Sequence, residues 1–225
     1  MSAPDATHDK VTDVKACYDL IAEEYARRIY AELENKPFDR AVLDRFAASV
    51  INTGIVCDLG CGPGHIARYL HDHGVTVCGV DLSTGMLQCA RRLNPPIEFH
   101  QGDMRSLPER DNSWAGITAF YAIVNLAPND ILKAFREMTR TLMPGGRLLV
   151  SFHIGDNSPH REEDLWGTGA CFEIMFFRVG TITGFMESAG LEIDEVVERE
   201  PYGPDVEFQS RRVYVFAHKP QMKAT

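Results

Sequence analysis

The chain has 225 residues, enough for one domain with a sizeable core. Its formal charge of −9 at pH 7 lacks the basic surplus a nucleic-acid partner calls for, and the doublets Arg27-Arg28, Arg91-Arg92 and Arg211-Arg212 read as solvated surface. No apolar run reaches the ~20 residues of a membrane span, and residues 1–10 hold no signal-peptide core. The six cysteines have no zinc spacing, which predicts free thiols in a reducing cytoplasm and no metal centre.

Residues 1 to about 10 read as loose. From Val14 to Leu33 the residues Val14, Tyr18, Ile21, Ala22, Tyr25 and Ile29 share one helical face, and a second helix is predicted over Phe38–Val50. Tyr18 and Tyr25 are seven apart, so they stand on the same face two turns apart. Lys36 falls between the helices, either solvated or facing a ligand carboxylate.

From residue 55 the pattern alternates. The apolar stretch Ile55–Leu59 runs into Gly60, Gly62 and Gly64, and Ile66, Ala67 and Leu70 follow on one helical face. This is strand, glycine turn, helix, and the glycines let the backbone turn sharply against a ligand. The next strand, over residues 76–80, ends in Asp81, where a carboxylate can accept hydrogen bonds from both hydroxyls of a ribose. A nucleoside-binding βαβ unit is therefore predicted. It departs from the dinucleotide fingerprint G-x-G-x-x-G: the third glycine comes one residue early, at Gly64, and His65 takes its place. Asp58 also stands directly before the loop, where it would repel a pyrophosphate and attract a cationic ligand.

A helix opening at Ser83 comes next, then strands over Ile97–His100 and Ala115–Phe120 and a helix over Asn129–Leu142 stopped by Pro144-Gly145-Gly146. A strand over Arg147–His153 follows. Strands alternating with helices imply an α/β fold with a mostly parallel sheet covered on both faces. Residues 154–178 are long for a connection and carry Trp166, Phe172, Phe176, Phe177 and Arg178, which suits a substrate lid. A helix over Thr181–Ala189 precedes strands Leu191–Glu200 and Arg212–His218, which have no helix between them and should pair antiparallel.

The run Val56-Cys57-Asp58-Leu59-Gly60-Cys61-Gly62-Pro63-Gly64 closely resembles the first motif of class I S-adenosylmethionine-dependent methyltransferases, whose cofactor carries a sulfonium and an ammonium. The terminal strand pair resembles the hairpin that closes the seven-stranded sheet of that family. The resemblance covers residues 55–218 and implies a Rossmann-like single domain. Residues 14–50 would form an N-terminal helical lid, 55–153 the cofactor core, 154–178 the substrate lid and 179–218 the C-terminal helix and hairpin. It implies S-adenosyl-L-methionine as cofactor, held by Asp58, Gly60, Cys61, Gly62, Pro63, Gly64, Asp81, Leu82, Met86 and Phe120, with Gly102-Asp103-Met104 resembling the loop whose acid meets the adenine amino group. Residues 142–148 resemble the Leu-x-Pro-Gly-Gly turn before the fifth strand. The segment Tyr18-Asp19-Leu20-Ile21-Ala22-Glu23-Glu24-Tyr25 resembles the Y-D-x-x-A-x-x-Y pattern of small-molecule methyltransferases of the quinone-biosynthesis type, which implies a tyrosine near the methionine end of the cofactor.

Methyl transfer is an in-line displacement with a good leaving group, so placement supplies most of the rate, and a base is needed only when the acceptor atom carries a proton. Tyr18, Tyr25 and His153 are the catalytic candidates; His153, at a strand end, titrates near neutrality when unperturbed and is the candidate base, against a plain strand-end histidine. Tyr121, Asn125, Trp166, Phe172, Phe176 and Arg178 are candidates to meet the acceptor. The segment Ala119-Phe120-Tyr121-Ala122 departs from the Asn/Asp-Pro-Pro-Tyr of amino-methylating enzymes of adenine and glutamine, which disfavours those acceptors. The expected partner is a small molecule, with neither nucleic acid nor membrane. A non-catalytic module binding S-adenosylmethionine or S-adenosylhomocysteine, and a nicotinamide oxidoreductase, stay open as alternatives; oligomeric state is not readable.

Overall fold

The first helix begins earlier than its periodicity announces. The computed structural model describes residues 6–170 and 172–221, with side chains from residue 14 onward, and in it α1 spans Ala6–Ile29. Residues 6–10, expected to be loose, are helical; residues 1–5 lie outside the described residues. A 3-10 turn at Glu32–Asn35 leads to α2, Pro37–Val50, whose proline occupies the first turn, where its missing N–H has no intrahelical partner to lose.

The alternating core follows: β1 Val56–Leu59, α3 His65–Asp72, β2 Val77–Asp81, α4 Thr84–Leu93, β3 Glu98–Gln101, β4 Trp114–Phe120, α5 Pro128–Thr141 and β5 Leu142–His153. Ser83 caps α4, its Oγ accepting from the Met86 N–H at 3.1 Å. The Pro-Gly-Gly segment does not stop α5, contrary to the prediction. Leu142 is already extended, with ψ 138°, and pairs with Trp114 of β4, so the sheet takes the chain before the glycines arrive. Gly145, at φ +78°, instead bends the first part of β5 and donates its N–H to the Lys219 carbonyl at 2.7 Å.

The segment 154–178 is a hairpin and not an irregular lid. β6, Ser158–Glu162, pairs antiparallel with β7, Phe172–Phe176, and a 3-10 turn at Leu165–Gly167 lies near its tip. The sequence Ser-Pro-His-Arg-Glu of β6 contains no apolar residue that could display a period of two. Then come α6, Val179–Ser188, β8, Glu192–Arg199, and β9, Arg212–His218.

The main sheet has seven strands in the order β3-β2-β1-β4-β5-β9-β8. β9 runs antiparallel to both β5 and β8, and the other pairs are parallel. Strand order reverses between β1 and β4, and in such sheets ligands bind outside the carboxyl ends of the strands at that reversal. One apolar core packs α5 and α6 on the sheet through Ile131, Phe135, Met138, Ile182 and Met186. A second packs α2 and α3 on the other face through Leu43, Phe46, Ile66 and Leu70. A third, smaller cluster joins α1 to α4 and to the tip of the β6–β7 hairpin through Ile21, Ala22, Met86, Cys89, Leu165 and Ala170.

Candidate functional site

At the β1 terminus the chain folds back on β2: Gly60 and Cys61 both donate their N–H groups to the Val80 carbonyl, at 2.7 and 3.1 Å. Gly60 has φ +75°, and a Cβ there would lie 2.4 Å from the Ala122 Cβ. Gly64, at φ +82°, would place a Cβ 2.7 Å from Asn94 Nδ2 and 2.8 Å from Phe99 Cζ. Both positions need glycine for turn and for space. The loop opens a cavity of about 1070 Å³, open mouth included, at the reversal between β1 and β4.

Two carboxylates organise the cavity floor. Asp81 accepts the Gly62 N–H on Oδ2 and the Ser83 N–H on Oδ1, both at 2.8 Å. Burial nevertheless raises its pKa, against the backbone donors that hold the ionised form. Asp58 is 1 % exposed and accepts from the Ala67 N–H at 3.1 Å and Thr118 Oγ1 at 2.9 Å. Burial pushes it up to about 6, with His65, Thr118 and Ala67 opposing. Such an acid favours a cation arriving beside it.

Of the residues expected at the cofactor, Asp58, Gly60, Cys61, Gly62, Pro63, Asp81, Leu82, Gly102, Asp103, Met104, Phe120 and Tyr25 line this cavity, and so do Tyr18, Tyr121 and Asn125. Two do not. Gly64 is turned into the packing against Asn94 and Phe99. Met86 is buried in the cluster between α1 and α4, because the cap at Ser83 directs the first turn of α4 under α1. Lys36 is neither solvated nor at the cavity: it is 5 % exposed and its Nζ lies 2.6 Å from Glu32 Oε2 and 3.5 Å from Glu207 Oε2.

Tyr18 donates to Asn125 Oδ1 at 3.1 Å, and its ring meets Tyr25 edge-on with centroids 5.9 Å apart. Burial raises both hydroxyls above the ordinary tyrosine value. Phe172 and Trp166 do not line the cavity. They back the tyrosines from the hairpin: Phe172 lies edge-on to Tyr18 at 5.0 Å, and Trp166 lies 5.9 Å from Tyr25 with the Arg28 guanidinium over its indole at 5.1 Å. The short hairpin brings its aromatic tip against α1, so the rings reach that helix before the ligand space. Arg178 caps α6, its N–H donated to Asn157 Oδ1 at 2.9 Å, outside the cavity.

His153 also stands outside the cavity lining. Its ring lies between Tyr121 and Phe176 at 5.0 and 5.1 Å, and Nδ1 is 2.7 Å from Ser210 Oγ. Burial, then the cations Arg212 and Lys36, lower its pKa to about 3, so the imidazole is neutral at pH 7 and a poor proton acceptor. Phe176 stacks between His153 and His160 and does not line the cavity.

Sequence reasoning missed three contributors. Asp19 Oδ1 accepts from Ser83 Oγ at 2.6 Å and Gly85 N–H at 2.8 Å, which fastens α1 to the start of α4. Although burial opposes it, these bonds and Lys15 hold Asp19 down at about 2. His65 lines the cavity with Nε2 3.0 Å from Glu32 Oε1. Arg105 grips Asp103 through Nε and Nη2 and reaches Asp130 at 2.8 Å, which keeps the Asp103 carboxylate ionised despite its partial burial. The aspartate after Tyr18 in the Y-D-x-x-A-x-x-Y run was the available signal for the first, and Arg105 stands only two residues after Asp103, whereas His65 with Glu32 and Arg105 with Asp130 meet across 33 and 25 positions.

Among the described residues no cluster of His, Cys, Asp or Glu could hold a metal ion, and no helix is long and apolar enough to cross a membrane. Residues 56–146 match a family described as "Methyltransferase domain". The chain is 33 % identical over 149 residues to the demethylmenaquinone methyltransferase of Renibacterium salmoninarum, covering 65 % of this chain and 61 % of that protein. It is 31 % identical over 150 residues to the malonyl-[acyl-carrier protein] O-methyltransferase of Enterobacter lignolyticus, covering 65 % of this chain and 55 % of that protein. The chain thus spans little more than half the length of these relatives. In fold it is similar to an S-adenosylmethionine-dependent methyltransferase of Methanosarcina mazei, with TM-score 0.68, 18 % identity and coverage of 74 % of this chain and 92 % of that one. It is also similar to the [4+2]-cyclase SpnF, with TM-score 0.64, 18 % identity and coverage of 92 % and 95 %. One fold thus carries different chemistries, and the site must decide between them.

Proposed function

We propose that this chain, a class I S-adenosylmethionine-dependent methyltransferase by its sheet and by the match of residues 56–146, transfers a methyl group to a small molecule. The observation that carries this reading is the pair of carboxylates bracketing the glycine loop, Asp58 buried and Asp81 half-buried. Asp81 ends β2 with both oxygens directed to the loop and the start of α4, which suits ribose hydroxyls arriving at the same edge. Asp58 sits behind the loop with its proton affinity raised, which suits the cofactor's cationic methionine end. Asp103, which lines the same cavity and is fixed by Arg105, is the acid to meet an adenine amino group. Bound there, S-adenosylmethionine supplies an activated methyl on a sulfonium.

The protein's part is placement. Tyr18, Tyr25 and Asn125 form the wall under α1, and the hairpin rings Phe172 and Trp166 press on it from outside. α1 acts as a cover that excludes water and orients the acceptor, and its Asp19 tether sets how readily it opens. Tyr121 and Asn125 meet the acceptor, while Trp166 and Phe172 act through the tyrosines. The free thiols of Cys57, Cys61, Cys78 and Cys89 favour a reducing compartment such as the cytoplasm. Similarity to a quinone-biosynthesis enzyme and to a carboxyl O-methyltransferase makes reduced naphthoquinones and carboxylic acids the first acceptors to try. Incubation with methyl-labelled S-adenosylmethionine and a panel of these acceptors, amines and thiols should yield one labelled product class. Binding of S-adenosylhomocysteine with no labelled product across the panel would favour the non-catalytic module.

A further inference from the structure

Behind the cavity wall lies a buried carboxylate that cofactor placement does not use. Asp39, on α2, is fully buried, and Tyr214 of β9 donates its hydroxyl to Asp39 Oδ1 at 2.8 Å. The Tyr214 oxygen in turn lies 3.2 Å from the hydroxyl of Tyr121, and Tyr121 lines the cavity. Three groups from three distant parts of the chain thus form one hydrogen-bonded line from ligand space to a carboxylate. Tyr121 is held there at a cost: its φ is +53°, in the left-handed region that a bulky residue rarely adopts, and its N–H is fixed by the Ser151 carbonyl at 3.1 Å. The neighbouring His153 has its Nδ1 at Ser210 and is not in the line.

We propose that Tyr121, Tyr214 and Asp39 form a proton relay that takes the proton of a hydroxyl-bearing acceptor, an enol, phenol or quinol, as its methyl is delivered. This rests on the methyltransferase reading and narrows its acceptor class. In the step, the acceptor O–H gives its proton to the Tyr121 oxygen, Tyr121 gives its own to Tyr214, and Tyr214 gives its own to Asp39. Both tyrosines end neutral and Asp39 ends protonated. The electron pair left on the acceptor forms the bond to the methyl, and the pair of the broken carbon–sulfur bond stays on sulfur. After product leaves, the proton returns along the same hydroxyls to solvent. Tyr121 is the catalytic residue here, and Tyr214 and Asp39 act through it.

The surroundings suit a carboxylate that exchanges a proton. Burial raises Asp39, and the charges facing it oppose that rise without cancelling it: Arg199 from β8 at 2.8 Å and Lys36 from the loop before α2, with Glu32 adding to the rise. Arg199 also donates to the Tyr214 hydroxyl at 3.0 Å and is itself paired with Glu207, and the Arg212 guanidinium lies 5.8 Å from the Tyr121 ring. Negative charge passing through either tyrosine therefore meets cations.

The test compares pH–rate profiles of the wild type, Tyr121→Phe and Tyr214→Phe on whichever panel acceptor the wild type methylates, with calorimetric binding of S-adenosylhomocysteine alongside. At pH 7, Tyr121→Phe should lose about 100-fold in turnover, the usual worth of a general base, and Tyr214→Phe should lose turnover too. Both losses should shrink as pH approaches ~10, where a phenolic acceptor ionises unaided. S-adenosylhomocysteine affinity of Tyr214→Phe should stay at the wild-type value. Losses equal at every pH, or wild-type rates in both variants, overturn the relay while the methyltransferase reading stands. So does turnover confined to acceptors with no proton to lose at pH 7. A wild type that neither binds S-adenosylhomocysteine nor transfers methyl overturns both.

Discussion

Replacing Asp81 by alanine removes more than a ligand contact. The carboxylate accepts the N–H groups of Gly62 and Ser83 at 2.8 Å, so it shapes the loop as well as facing the proposed ribose position. In the bound state two further charge-assisted bonds to ribose hydroxyls would be lost. Taking ~1.5 kcal/mol for each, the lower end for bonds to a charged group, cofactor binding weakens by about 3 kcal/mol, roughly 100-fold in Kd. Loop loosening adds to this. The fold should survive, because Asp81 is at a strand end on the cavity wall and the apolar cores flanking the sheet do not include it. The assay is calorimetric titration with S-adenosylhomocysteine, paired with thermal unfolding of the free protein. Asp81→Asn, which keeps one acceptor oxygen, should fall between wild type and alanine. A folded Asp81→Ala protein with wild-type affinity would refute the reasoning.

Four further outcomes are expected. Gly64→Ala should destabilise or misfold the chain, since φ is +82° and the new Cβ meets Asn94 and Phe99 inside 3 Å; a wild-type melting temperature contradicts this. Asp19→Ala removes the acceptor that fastens α1 to Ser83 and Gly85, should lower stability by ~1 kcal/mol, and should speed hydrogen exchange over residues 14–29 in the free protein; unchanged exchange there denies the tether. Asp58, raised to about 6 by burial, should release a proton when a cationic cofactor arrives, so binding heat near pH 5.5 should vary with buffer ionisation enthalpy, and a buffer-independent heat contradicts it. His153 is lowered to about 3, so the unfolded chain binds its proton more readily than the folded one. Its contribution to stability is present above pH 6.5 and is lost as pH falls toward 3, and His153→Phe should flatten that part of the melting-temperature profile; a variant as acid-sensitive as the wild type contradicts the assignment.

The alternating core was legible because its signals are local. The apolar run into Gly60, the cap at Ser83 and the acid at Asp81 each declare themselves within a few residues, and the structure realises them as β1, α4 and the end of β2. The stop of α5 was misread because Pro144-Gly145-Gly146 is a strong local signal overruled by a non-local one, the pairing of Leu142 with Trp114. The β6–β7 hairpin was missed because β6 is polar along its length. The same division runs through the site. The cofactor loop lies within one βαβ unit, whereas Asp39 with Arg199 and Tyr214 joins residues 160 and 175 positions apart. No periodicity or spacing encodes such meetings. His153 was the candidate base by residue type and strand-end position, against a plain strand-end histidine, and burial beside Arg212 and Lys36 makes it a weak base.

The central claim is that the cavity at the β1–β4 reversal takes a sulfonium-bearing nucleoside and no dinucleotide. Side-by-side calorimetric titration of the wild-type protein with S-adenosylmethionine and with NAD tests it most directly. The account predicts saturable one-to-one binding of S-adenosylmethionine and no measurable heat with NAD. Saturable NAD binding with none of S-adenosylmethionine would contradict it.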